Sequence, residues 1–317
     1  MPSLVILGAG GFLGKAIIEQ GASLFPIKAV VRKKKSDTQH SDKITWFELD
    51  LLIPGALDEV LEKDDIIVNT AYIPGDNDSD NLQLINNVID SCIRNKIQRL
   101  IHCSTANVVG AVKNCRIDES VVCEPLTQYE QVKFAIEERV LKSSLDGLDV
   151  IVLRPTAIVG PEGKNLLKLA DALMKGSQFV NYLRASLFRN RKMHLVSVHN
   201  VAAAILHLSQ ASLSNRGIYF ISSDDDPQNN FISIESILRE TLGLGRRKIP
   251  LLPIPLSVLS ILLKLKGRSG FNLGRTYDSK KLFSTNFTPV DSLDNAVNQF
   301  GKRFLEKNAT GNLISDK

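Results

Sequence analysis

The sequence predicts an α/β fold in which a doubly wound parallel sheet carries a smaller C-terminal lobe. Two features predict it: short apolar runs alternate with helical patterns through the first half, and a glycine-rich turn separates the first run from the first helix. In chain order, the runs LVILG, IKAVVR, ITWFELD, IIVNTA, LIHCST and VIVLRP read as buried parallel strands. Between them, GKAIIEQGAS, GALDEVLEK, NLQLINNVIDSCIRN and QYEQVKFAIEERVLKSSL place apolar residues at intervals of three and four, the period of a helix face. A Rossmann-type sheet of this kind holds its ligand beyond the carboxyl ends of the strands, so functional residues are expected there. After Gly160 the alternation loosens into a helix around Leu166 to Met174, a basic loop at LFRNRK, and a further strand and helix in HLVSVHNVAAAILHLSQ. The expected division is a nucleotide-binding domain over residues 1–160, completed by about 194–223, and a substrate lobe from 161–193 and 224–317.

Composition narrows the function. A chain of 317 residues with 44% hydrophobic content can bury a substantial core. Its net charge of +5, from 39 basic against 34 acidic residues, suits an anionic small ligand and gives no case for nucleic acid. Cys92, Cys103, Cys115 and Cys123 form no CxxC or metal-type spacing and read as reduced thiols of a cytoplasmic protein. The N-terminus lacks the basic region and cleavage site of a signal peptide. The apolar stretch IPLLPIPLSVLSILL contains three prolines and falls short of the roughly 20 residues of a membrane span, so no transmembrane segment is expected. Its second half, Leu256 to Leu265, reads as a helix docked on its own domain.

In VILGAGGFLGKA the glycines fall at Gly8, Gly11 and Gly14, where the first strand enters the first helix. Backbone N–H groups and the helix dipole can hold a phosphate there if no side chain blocks its approach. At the end of the second strand, where NAD sites commonly place an acid, the sequence reads Arg32 followed by Lys33, Lys34 and Lys35. A guanidinium there favours the 2′-phosphate of NADP(H), with NAD as the alternative.

Tyr129 and Lys133 stand four residues apart, which stacks them on one helix face. A phenol with an ordinary pKa of about 10 needs a neighbouring cation to act as a base near neutrality. Thr105, at the end of the fifth apolar run, supplies a hydroxyl for the same substrate oxygen. With these residues the sequence resembles the extended short-chain dehydrogenase/reductase family, the NAD-dependent epimerase/dehydratase group. The family's glycine motif matches Gly8, Gly11 and Gly14, its Tyr-x-x-x-Lys pair matches Tyr129 and Lys133, and its serine/threonine position falls on Thr105 within STANVVG.

The resemblance implies that Phe12, Leu13, Asp50, Leu51, Thr70, Ala71 and Pro155 join the glycines, Arg32 and Lys133 around the cofactor. It implies Thr105, Tyr129 and Lys133 as catalytic residues, with Lys133 lowering the tyrosine pKa. The sequence departs from the family at Asn69, where strand four normally carries histidine, at Val109 and at His199. The second half is similar to nucleotide-sugar 4-epimerases and 4-ketoreductases of polysaccharide loci, including O-antigen loci. That similarity implies a nucleotide-sugar substrate, hydride transfer at C4, Asn165 and Arg191 as substrate contacts, and a homodimer through the helices bearing Tyr129 and Asn81. Alternatives are a hydroxysteroid- or flavonoid-type ketoreductase, which the apolar 250–266 stretch would suit, and a non-catalytic nicotinamide-nucleotide-binding regulator. A 4,6-dehydratase is disfavoured because Ala106 and Asn107 stand where those enzymes carry an Asp-Glu pair.

Overall fold

A computed structural model describes residues 2–33, 42–75, 78–210, 216–247, 249–252 and 274–314. Lys34, Lys35 and the expected 256–265 helix lie outside the described residues. Seven parallel strands form the main sheet: β1 (Leu4–Leu7), β2 (Ile27–Val31), β3 (Ile44–Glu48), β4 (Ile66–Asn69), β5 (Arg99–Cys103), β7 (Val150–Pro155) and β10 (Gly217–Ile221). Their order, β10-β7-β5-β4-β1-β2-β3, reverses direction between β1 and β4 and so opens a ligand crevice at that point. Every residue of β1, β4, β5 and β7 is buried, as expected of strands covered on both faces.

Helices α1 (Phe12–Gly21) and α6 (Val198–Gln210) cover one face, where Leu4, Ile6, Ile17 and Ile205 share a core. Helices α2 (Asp78–Arg94) and α3 (Gln128–Lys142) cover the other, around Leu7, Ile85, Leu100 and Ile136. A third core, containing Leu173, Ile234, Leu238 and Phe300, joins α4 (Leu167–Lys175), α7 (Phe231–Thr241) and α8 (Leu293–Ile314). Two small pairs, β8 (Ala157–Val159) with β9 (Leu195–Ser197) and β6 (Arg116–Ile117) with β11 (Thr276–Tyr277), complete the described sheets.

Two expectations are corrected. Residues 55–63 form successive turns instead of a helix, with Asp58 N–H donating to Gly55 and Val60 N–H to Leu57. The supposed basic loop at LFRNRK instead begins inside a helix, α5 (Gln178–Phe188).

Candidate active site

The turn after β1 is shaped by close backbone approach. Gly8 has φ +81°, and a Cβ on it would lie 2.9 Å from Thr70 Oγ1. A Cβ on Gly14 would lie 2.8 Å from Ala9 Cα, so the first turn of α1 seats directly on the loop. Gly11 is the N-cap of α1 and provides no side-chain cap, which leaves the first N–H groups of the helix to a ligand. This cradle of Gly8, Gly11 and Gly14 fits a dinucleotide pyrophosphate, whereas the Phe12 and Leu13 side chains pack with the core.

The neighbouring strand ends fall as expected. Arg32 is exposed at the end of β2, and Asp50 is exposed after β3, its Oδ1 accepting the Leu52 N–H at 3.0 Å. The Leu51 carbonyl accepts from Asn87 Nδ2 at 3.0 Å. Thr70 donates its hydroxyl to Leu7 O at 2.8 Å, so it shapes the turn with an oxygen already engaged. Pro155 closes β7 beside Ile221 of β10.

Tyr129 and Lys133 are placed by the start of α3. Thr127 accepts the Glu130 N–H at 3.3 Å while the Glu130 carboxylate accepts the Thr127 N–H at 3.0 Å, a capping box that fixes where the helix begins. Tyr129 therefore lies in the first turn and Lys133 one turn further, on the same face. Thr105 acts on the Tyr129 phenol, and its own Oγ1 accepts the Asn107 N–H at 3.2 Å. Tyr129 is 44% exposed. Burial first, then the neighbouring Tyr72 and Cys103, push the phenol above its ordinary value, and Thr105 opposes them.

Lys133 is buried, with 6% of its surface exposed, and donates to Cys103 O at 3.2 Å. Burial lowers its ammonium, while Cys103 and Glu137 act in the other direction. The cation is directed at the Cys103 carbonyl and at the ring of Tyr72, 5.1 Å from its centroid.

Further residues come into view only in the folded chain. Asn69 Oδ1 accepts the Ala71 N–H at 3.0 Å, which orients the amide so that Nδ2 donates to His102 Nδ1 at 3.3 Å. The His102 proton then sits on Nε2, a buried atom with no partner among the described residues. Burial, and secondarily Lys133, push His102 well below its ordinary value, so it is neutral. Asn69 stands where the resembled family carries histidine, and its register partner across β4 and β5 is His102. On the substrate side, Asn165 Nδ2 donates one of its two hydrogens to Ile158 O at 2.8 Å. Arg191 Cζ lies 5.5 Å from the Phe188 ring centroid, and Lys192 donates to Asp224 O at 2.7 Å. No group of three or more metal-ligating side chains occurs among the described residues.

The profile of the 3-beta hydroxysteroid dehydrogenase/isomerase family matches residues 5–254. The chain belongs to that family. Among curated proteins, short-chain dehydrogenase/reductase family 42E member 1 of Homo sapiens is 28% identical over 70% of this chain and 60% of its own length. The chain thus aligns with somewhat less than two thirds of that relative. Among solved structures, a UDP-N-acetylglucosamine 4-epimerase of Methanobrevibacter ruminantium, in complex with UDP-N-acetylmuramic acid, superposes with TM-score 0.74 at 17% identity. It covers 96% of this chain and 99% of its own. WbmH of Bordetella bronchiseptica, in complex with NAD+, gives TM-score 0.73 at 18% identity, covering 96% and 99%. At these identities the structures establish a shared fold, the Rossmann-like architecture of the extended short-chain dehydrogenase/reductase group. No helix among the described residues is long and apolar enough to cross a membrane.

Proposed function

We propose that this protein is an NAD(P)(H)-dependent dehydrogenase or ketoreductase acting at a secondary alcohol or ketone carbon of a hydroxysteroid-type apolar substrate. The observation that carries the chemistry is Tyr129 and buried Lys133 one helical turn apart on α3, with Lys133 held on Cys103 O at the carboxyl end of β5, where Thr105 follows. Bound NAD(P)(H) supplies or accepts the hydride. Thr105 orients the substrate oxygen, Tyr129 gives it a proton in reduction and takes one in oxidation, and Lys133 turns to hold the nicotinamide ribose. Gly8, Gly11 and Gly14 admit the pyrophosphate, and Arg32 is poised for a 2′-phosphate.

The family to which the chain belongs favours an apolar substrate over a sugar. So does the apolar tip of the α4–α5 hairpin, where Met174, Phe179, Val180 and Leu183 are 43%, 68%, 50% and 41% exposed. In this reading residues 161–193 and 224–317 form the substrate side. A second reading, a nucleotide-sugar 4-ketoreductase or 4-epimerase, is favoured by Arg189 and Arg191 at the end of α5, where guanidinium groups would meet a diphosphate. Absorbance at 340 nm separates the two. NADH formation from 3β-hydroxysteroids supports the first. NADPH consumption by 4-keto nucleotide sugars, or sugar interconversion with no net cofactor change, supports the second.

A further inference from the structure

Tyr72 belongs to no motif of the sequence, yet its ring meets two members of the catalytic helix at once. It stands edge-on to Tyr129, with centroids 5.7 Å and planes 83° apart, and its face receives Lys133 Nζ at 5.1 Å. The segment that carries it is fixed on both sides. Ala71 N–H is held by Asn69 Oδ1 at 3.0 Å, and buried Asn81 clamps Ile73 through both its N–H and its carbonyl at 2.9 Å. A loop tied in this way gives the ring a defined place.

Lys133 needs what Tyr72 offers. A buried ammonium has three donors to satisfy, and its described hydrogen bond is to Cys103 O. An aromatic face stabilises a desolvated cation in a direction where no acceptor stands. No hydrogen bond joins Lys133 to Tyr129 among the described residues, and Tyr72 touches both.

We propose that Tyr72 is a positioning residue of this site: its ring holds the Lys133 cation on its face and the Tyr129 ring at its edge, keeping Lys133 off the Tyr129 hydroxyl until the nicotinamide ribose draws it away. This inference rests on the roles given to Tyr129 and Lys133 above. The titratable groups around Lys133 are Cys103 and His102 from β5, Glu137 from α3, and Tyr72. Around Tyr129 they are Tyr72, Cys103 and Glu130, and Asp78 of α2 faces Tyr72. Substituting Tyr72 leaves the others in place. It removes part of the burial, removes a neighbouring phenol and frees Lys133, and all three changes make Tyr129 easier to ionise.

The test is a pH titration of the full chain labelled with 13Cζ-tyrosine. The chain has five tyrosines, and the Tyr129 resonance is the one lost in Tyr129→Phe. In Tyr72→Leu, and in Tyr72→Met, which restores bulk without an aromatic face, the Tyr129 midpoint falls by about 0.5 to 1 pH unit, the size of a cation–π contact expressed as a pKa change. In Tyr72→Phe, which keeps the ring, it falls by less than half as much. An unchanged Tyr129 midpoint in a folded Leu or Met variant overturns the proposal, as does a Phe variant that shifts as far as they do. The titration uses no substrate, so its outcome is separate from that of the Tyr129→Phe turnover assay, which tests the catalytic reading itself.

Discussion

Tyr129 sits where burial and a second phenol favour its protonated form. Ketone reduction, which needs that proton, should proceed across neutral pH and decline only as pH rises through the raised phenol pKa. A reduction rate that halves between pH 6 and about 8 would place the controlling group elsewhere. For Arg32→Ala, loss of a charge-assisted contact predicts an NADPH affinity reduced about tenfold or more, with NADH little affected. Equal losses for the two cofactors, read by fluorescence titration, remove Arg32 from the 2′-phosphate site. Cys92 and Cys103 give a pH effect on stability. Burial raises their thiols from 9.0 to about 12 and about 11, so the folded state prefers them neutral. Their contribution is complete below pH 9 and is lost as pH rises toward 11, and Cys92→Ala should flatten that fall in thermal unfolding. Thr105, Tyr129 and Lys133 were legible because a helix turn and a strand end are local features. Tyr72 was not, because nothing in NTAYIPG indicates that this ring reaches across to α3.

Helix α3 is held against β7 by a buried ion pair as well as by its cap. Arg154 Nε donates to Glu137 Oε1 at 3.1 Å, and both side chains are almost fully buried. Burial alone would lower Arg154, but the Glu137 hydrogen bond and charge outweigh it and hold the guanidinium above its usual value. Since Arg154 adjoins Pro155 and Glu137 lies one turn beyond Lys133, this pair sets α3 relative to the carboxyl end of β7. Glu137→Gln leaves a buried cation with a weakened partner and should cost about 3 kcal/mol, read by chemical denaturation. Losing only a few tenths of that would mean that water reaches Arg154. The two misread elements have physical causes. Leu57, Val60 and Leu61 are buried at helical spacing, but a stretch this short gains as much from turns, and Gly55 at φ +78° starts one. In α5 the pattern is inverted: Asn181, Ala185 and Ser186 face inward while Phe179, Val180 and Leu183 face outward, so no apolar stripe marks its buried side.

At the scale of the whole molecule, the strand order could be anticipated from the alternation of runs and helices, because right-handed crossovers leave few alternatives. The same rule brings β1, β4 and β5 side by side, so that the glycine turn, Thr70 and Thr105 converge from distant parts of the chain at the carboxyl ends of the central strands. Substrate class was less legible. The nucleotide-sugar reading drew on charge in FRNRK, whereas in the folded chain apolar side chains are exposed at the tip of α4 and α5. The most direct measurement is NADH formation at 340 nm from NAD+ and a 3β-hydroxysteroid, by the wild-type chain and by Tyr129→Phe. The account predicts turnover that falls at least 100-fold in the variant while cofactor affinity is retained. Equal rates in the two proteins would contradict it, as would a wild-type chain that binds the cofactor and leaves the steroid unchanged.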